Sequence, residues 1–169
     1  MYLESYKQLR VWQKNGGQLL IESMIAISIL IFGLLGIMNL LSRSLSLNNV
    51  ISSQYIASNL AAEGIELVKN LLDANTIQFK PWNQDINTGS YEMAYDSLTL
   101  NSNQDRNLLF NAADNVYNYQ TGESTPYKRD IEIVNIGSDE IKINSIVSWQ
   151  IRGGSYSVNL EDHFFNWRP

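Results

Sequence analysis

The chain has 169 residues, 44% of them hydrophobic, with 12 Lys plus Arg against 17 Asp plus Glu, one histidine and no cysteine. That length suits one compact domain. A formal charge of −5 denies the chain the basic field of a dedicated nucleic-acid binder, and the lack of cysteine excludes disulfides, thiolate catalysis and cysteine-ligated metal.

Charge and apolarity are distributed very unevenly. Residues 1–17 carry Lys7, Arg10 and Lys14 against Glu4, so the rest of the chain is more acidic than the total. No charged residue follows from Ser23 until Arg43. As a helix rising about 1.5 Å per residue, this run spans roughly 30 Å, the thickness of a bilayer core, which does not fit a purely cytosolic protein. Positive residues before the span and few after it predict an N-terminus in the cytoplasm and a C-terminal domain outside, in a single-pass protein of the cytoplasmic membrane.

The helical pattern outlasts the apolar run. Leu47, Ile51, Gln54, Ser58, Ala61, Ile65, Val68 and Leu72 recur at spacings of three or four, and no proline occurs before Pro81. One helix is expected over about 18–72, apolar all round in its transmembrane half and amphipathic in its second half. Gly33, Gly36 and Gly64 each weaken it by about 1 kcal/mol relative to alanine and are candidate bending points.

Residues 73–126 are rich in Asn, Asp, Ser and Gln, with turn signals at Asn75, Pro81, Asn87-Thr88-Gly89 and Thr121-Gly122. Irregular structure is expected there, with short strands at 91–95 and 116–119. Residues 128–136, 141–151 and 155–164 are rich in β-branched and aromatic side chains and are separated by Gly137-Ser138 and Gly153-Gly154, the pattern of a three-stranded antiparallel meander. Ile141, Ile143, Val147, Trp149 and Ile151 share one parity, as do Tyr156, Val158 and Leu160, so one sheet face is apolar. The amphipathic half of the helix is its expected cover, giving an α+β fold with a long N-terminal helix packed on a C-terminal antiparallel β-meander.

The segment Gly16-Gly17-Gln18-Leu19-Leu20-Ile21-Glu22 sets a glycine pair at the end of a basic leader and a carboxylate at the mouth of the apolar span. An ionised group inside a membrane helix costs a few kcal/mol, so Glu22 calls for a partner. Cutting between Gly17 and Gln18 would create an α-amine at the helix start, which Glu22 of a neighbouring subunit could neutralise. This stretch resembles the class III signal of type IV prepilins and pseudopilins, in which a basic leader ends in glycine and glutamate is the fifth mature residue. Counted from Gln18, the fifth is Glu22.

The resemblance extends along the helix. Gly33-Leu34-Leu35-Gly36-Ile37 resembles minor pilins of the pilus-modification type, and Leu60-Ala61-Ala62-Glu63-Gly64-Ile65-Glu66 is similar to the same proteins and to I-type minor pseudopilins of type II secretion. Tyr127 to Ile131, Ile146 to Trp149 and the closing Asn166-Trp167 resemble prepilin-like proteins more loosely. What the resemblance implies is a pilin-like fold and three segments: a leader at 1–17, a transmembrane half-helix at 18–44 and an extracytoplasmic globular domain at 45–169. It also implies cleavage by a prepilin peptidase between Gly17 and Gln18, N-methylation of Gln18, and assembly through Glu22 and the N-terminal helix with other pilin subunits into a pilus or pseudopilus. Gln18 stands where phenylalanine is usual; Asn39 occupies the neighbourhood of the proline common in major pilins, and cysteine is missing, which points to a minor subunit.

Rival readings are an uncleaved signal anchor holding an outer domain, a pseudopilin of type II secretion or DNA uptake, and a secretory signal ending at Ser42-Arg43-Ser44. The last has an apolar region longer than the 7–15 residues typical of such signals. An enzyme would have to rest on His163 with Glu161 and Asp162, since phosphate-cradling and nucleophile-elbow motifs are missing. No catalytic activity, cofactor, metal or nucleic-acid partner is expected, and Lys128-Arg129 is too small a patch to suggest DNA binding. Trp149 is expected in the sheet core, Trp82 and Trp167 as partial covers and Trp12 in the leader.

Overall fold

The computed structural model describes residues 16–151 and 153–167. Helix α1 (Gly16–Ile77) is followed by strands β1 (Gly89–Glu92), β2 (Asn101–Ser102), β3 (Asn107–Asn111), β4 (Val116–Asn118), β5 (Glu123–Ile136), β6 (Glu140–Ile151) and β7 (Gly154–Phe165). The fold is α+β: one long N-terminal helix, then an antiparallel sheet on which the helix packs. The chain divides after Leu47 into two units.

In the second unit, β5 organises the sheet because its 14 residues are long enough to serve two neighbours along one edge. Its C-terminal half pairs with β1, carrying β2 beyond, and its N-terminal half with β3, carrying β4 beyond. Along the other edge run β6 and then β7, in register from Ile136↔Glu140 to Lys128↔Ser148 and from Glu140↔Phe165 to Ile151↔Gly154. The expected meander is therefore present, with β5 starting five residues earlier than the β-branched run suggests. Gly137 (φ 70°) and Gly153 (φ 80°) occupy the left-handed positions that let the chain reverse.

Period-two alternation puts Tyr127, Arg129, Ile131 and Ile133 of β5 and Ile141, Ile143, Ser145, Val147 and Trp149 of β6 on the inner face, all buried. The helix covers them with Ala57, Leu60, Ala61, Ile65, Val68 and Leu72, also buried. Leu47 and Ile51, expected in the same stripe, are exposed. Two apolar clusters result. Ala57, Leu60 and Ala61 meet Leu108, Tyr127, Val147 and Trp149, while Ile65, Val68 and Leu72 meet Ile86, Met93, Ile131, Ile133, Ile141 and Ile143. Each large side chain so buried contributes roughly 1.5–3 kcal/mol.

A polar waist separates the clusters. Arg129, only 2% exposed, donates from Nη1 to the Leu60 carbonyl at 3.1 Å and from Nη2 to the Met93 carbonyl, and lies 3.4 Å from Glu63 Oε1. Gly64 faces the same waist: a Cβ there would lie 2.3 Å from Ser145 Oγ and 3.2 Å from Arg129 Cδ. Gly64 is thus a point of close approach of helix and sheet, and α1 continues helical through it and through Gly33 and Gly36.

The helix ends five residues beyond the expected point, in a Schellman motif. Lys80 N donates to the Asn75 carbonyl at 2.9 Å and Phe79 N to the Thr76 carbonyl at 3.2 Å. The left-handed residue that closes it is Phe79 (φ 57°), where glycine is usual; a side chain in that conformation costs about 1 kcal/mol.

Residues 73–126 contain more pairing than their polar composition suggests. The strand Val116–Asn118 matches its aromatic piece, Gly89–Glu92 overlaps the expected 91–95 only at Tyr91 and Glu92, and Asn107–Asn111 had no alternation to reveal it. The loop between β1 and β3 is tied by Glu92, which is buried: Oε1 accepts from Gln104 N (2.9 Å) and Arg106 N (3.1 Å), and Oε2 accepts from Arg106 Nε (2.9 Å) and pairs with Nη2 (2.7 Å). The Arg106 guanidinium in turn sits 4.9 Å over the Tyr119 ring. Burial pushes the Tyr119 phenol up to about 12, so it remains neutral; its hydroxyl donates to the Arg129 carbonyl at 3.4 Å.

Candidate functional site

In the first unit, α1 opens with the glycines that interrupt nothing apolar. Gly17 lies in the first turn and is exposed, and an added Cβ there would meet no described atom outside its own helical turn within 4 Å. Gln18 and Glu22 follow one helical turn apart on a common face and are both exposed. Gly17, Gln18 and Glu22 therefore all lie in the first two turns of the helix, with Gln18 and Glu22 on one stripe. Glu22 makes no hydrogen bond or ion pair with any described residue. The leader cations and Trp12 lie outside the described residues.

Beyond Glu22 every large side chain up to Leu47 is exposed, Phe32 to 74%. The helix is long and apolar enough to cross a membrane, and none of its most apolar window is buried. Two of its hydroxyls are satisfied within the helix: Ser23 Oγ donates to the Leu19 carbonyl and Ser28 Oγ to the Met24 carbonyl, each at 2.7 Å. Such back-bonding leaves an apolar coat around a fully bonded backbone, the condition lipid imposes on a spanning segment. So much exposed hydrocarbon requires a cover, lipid or protein.

No protein-family model, curated protein or solved structure matches the chain.

The one histidine lies in the second unit. His163 is on the outer sheet face with Glu161, as their shared parity predicts, and Glu140 joins them from β6. His163 Nδ1 is 2.6 Å from Glu140 Oε1 and Nε2 is 3.4 Å from Glu161 Oε1; Glu161 also accepts from Asn144 Nδ2 at 2.9 Å and pairs with Lys142 Nζ at 3.4 Å. Hydrogen bonding to Glu140 and then Glu161 raises the His163 pKa above its ordinary value. Hydrogen bonds from Asn144 and His163, with the Lys142 charge, lower that of Glu161. Sequence reasoning missed Glu140 because it is 23 residues away and reaches the group only through strand register.

Lys128 and Arg129 do not form a surface patch. Lys128 pairs with Asp105 at 2.6 Å on the outer side, and Arg129 is buried on the inner side. Trp149 is in the core and Trp82 packs partly against it, as expected, but Trp167 is 74% exposed and covers little. Strand β7 ends two residues before Trp167, and the chain turns there with Trp167 N donating to the Phe165 carbonyl at 3.1 Å.

Proposed function

We propose that the chain is a minor type IV pilin or pseudopilin: a membrane-inserted, non-catalytic building block, cut by a prepilin peptidase between Gly17 and Gln18 and assembled with other pilin subunits through its N-terminal helix. The observation that carries the proposal is the exposed apolar helix surface with a single carboxylate, Glu22, one turn from Gln18. A plain anchor needs the hydrocarbon but gains nothing from the carboxylate. In a filament, Glu22 of one subunit meets the Gln18 amine of the next, methylated or not. Opposite charges about 4 Å apart attract by roughly 4 kcal/mol at an effective dielectric near 20, before desolvation. That is enough to select the axial register of one helix against another, while apolar packing supplies adhesion.

The N-terminus lies in the cytoplasm and the sheet domain outside in this reading, first in the cytoplasmic membrane and then in a surface or periplasmic filament. The test compares wild type with Glu22→Val and Glu22→Asp by quantitative immunoblots of membrane and sheared-filament fractions. The valine variant is expected to insert and be cut normally but to fall sharply in filaments. Equal incorporation of wild type and Glu22→Val overturns the register role. A wild-type protein never found in filaments favours the uncleaved anchor.

A further inference from the structure

We propose that the cleft at the C-terminal end of the helix binds a neutral glycan. The cleft holds about 750 Å³ between the last turns of α1, residues 79–82 and the end of β7, within the size range of ligand sites. The inference concerns only the second unit and stands apart from the filament reading.

Aromatic rings form much of its wall. Phe79 is 98% exposed, Phe165 and Trp167 are also exposed, and the half-buried Trp82 and Phe164 complete the set. Phe79 is the telling residue: glycine would make the same two Schellman hydrogen bonds without a left-handed side chain, and the exposed ring gives almost no packing in return. Backbone strain at a fully displayed aromatic side chain is unfavourable for folding alone and makes sense for a contact with something else.

Polar groups in the same cleft define that something. The side chains of Asp73, Lys80 and Asn166 line it without a hydrogen bond or ion pair to any described residue. One acid and one base balance, so no net charge is asked of the ligand. An acyl chain would bury these groups unpaired, and an anionic lipid surface would call for a basic rim. A pyranose ring meets both demands, with a flat C–H face for the aromatic rings and a rim of hydroxyls that donate and accept. An extended peptide added to the free edge of β7 is the rival. Close to the cleft, however, the His163 N–H is already taken by Asp162 Oδ1 at 2.8 Å.

The test is isothermal titration calorimetry of the full chain in dodecylphosphocholine micelles with cellohexaose, chitohexaose and mannohexaose, and with a dodecapeptide rich in phenylalanine and proline. Saturable binding of at least one hexasaccharide is expected, weakened about tenfold or more in Phe79→Gly and in Trp167→Ala. Phe79→Gly should melt no lower than wild type, which separates loss of the ligand contact from loss of the fold. The proposal is overturned by no saturable heat with any of the three hexasaccharides up to about 10 mM, by unchanged affinity in both variants, or by binding of the peptide alone.

Discussion

A Cβ placed on Gly64 would come within 2.3 Å of Ser145 Oγ, so the helix and the central sheet meet there at a distance only glycine allows. Ser145 is fully buried and its hydroxyl finds no hydrogen-bond partner among the described residues. Close approach at this point is what lets Arg129 reach the Leu60 carbonyl from the sheet side. Gly64→Ala should destabilise the domain by about 1–3 kcal/mol through overpacking, despite alanine's better helix propensity. Ser145→Gly removes two of the three nearest contacts, and the double variant should recover part of the loss. Chemical denaturation of the four proteins measures the coupling; strictly additive effects would mean the two residues do not constrain each other.

Ile65 lies in the larger apolar cluster, where it packs with Val68, Ile131 and Ile143. Ile65→Asp places a carboxylate there with no compensating cation, so the sheet domain should lose its cooperative thermal transition. Circular dichroism melting is the measurement. An unchanged transition would mean that this helix face packs on something other than the sheet.

The outer-face group of Glu140, His163, Glu161 and Lys142 makes β6–β7 pairing pH-dependent. The raised pKa of His163 contributes stability that is fully present below its unfolded value of 6.5 and is lost as pH rises through the folded value. The lowered pKa of Glu161 contributes above 4.5 and is lost as pH falls through its folded value. Both contributions are present between 4.5 and 6.5. Melting temperature should therefore fall on the alkaline side of this window, and His163→Asn should flatten that limb. The groups are solvent-exposed, so added salt should shrink the effect. A variant with the wild-type alkaline limb would assign the dependence to other groups.

Cleavage after Gly17 predicts a mature N-terminus at Gln18. Gly17 presents no side chain to a peptidase that must thread an extended strand, so Gly17→Val should block processing while leaving membrane insertion intact. Amino-terminal mass spectrometry of membrane-extracted protein from cells with an active prepilin peptidase is the measurement. An intact Met1 would defeat the cleavage reading, and a terminus at Leu45 would support secretory processing instead.

The sequence by itself determined the helix, its apolar half and the three-stranded meander, because each rests on a periodicity that neighbours in the chain enforce. Turns of 3.6 residues set the stripe Ala61, Ile65, Val68, Leu72, and alternation set Ile141, Ile143, Val147, Trp149. The same local logic placed Gly17, Gln18 and Glu22 at one helix start. Only tertiary structure decided what the exceptions to pattern were for. Arg129 reads as half of a surface pair, yet it is buried, because strand parity turns it inward and the carbonyls of Leu60 and Met93 satisfy it there. Gly64 reads as a weak helical position until Ser145, 81 residues later in the chain, arrives against it. Strand β3 offers only the short apolar run Leu108-Leu109-Phe110 between asparagines, too brief to declare a strand before β5 pairs with it. Phe79 closes the helix in a conformation its residue type disfavours, which no propensity predicts. For Arg129, Gly64 and β3 the deciding partner is distant in sequence, and its effect exists only once the chain has folded back to bring the two together.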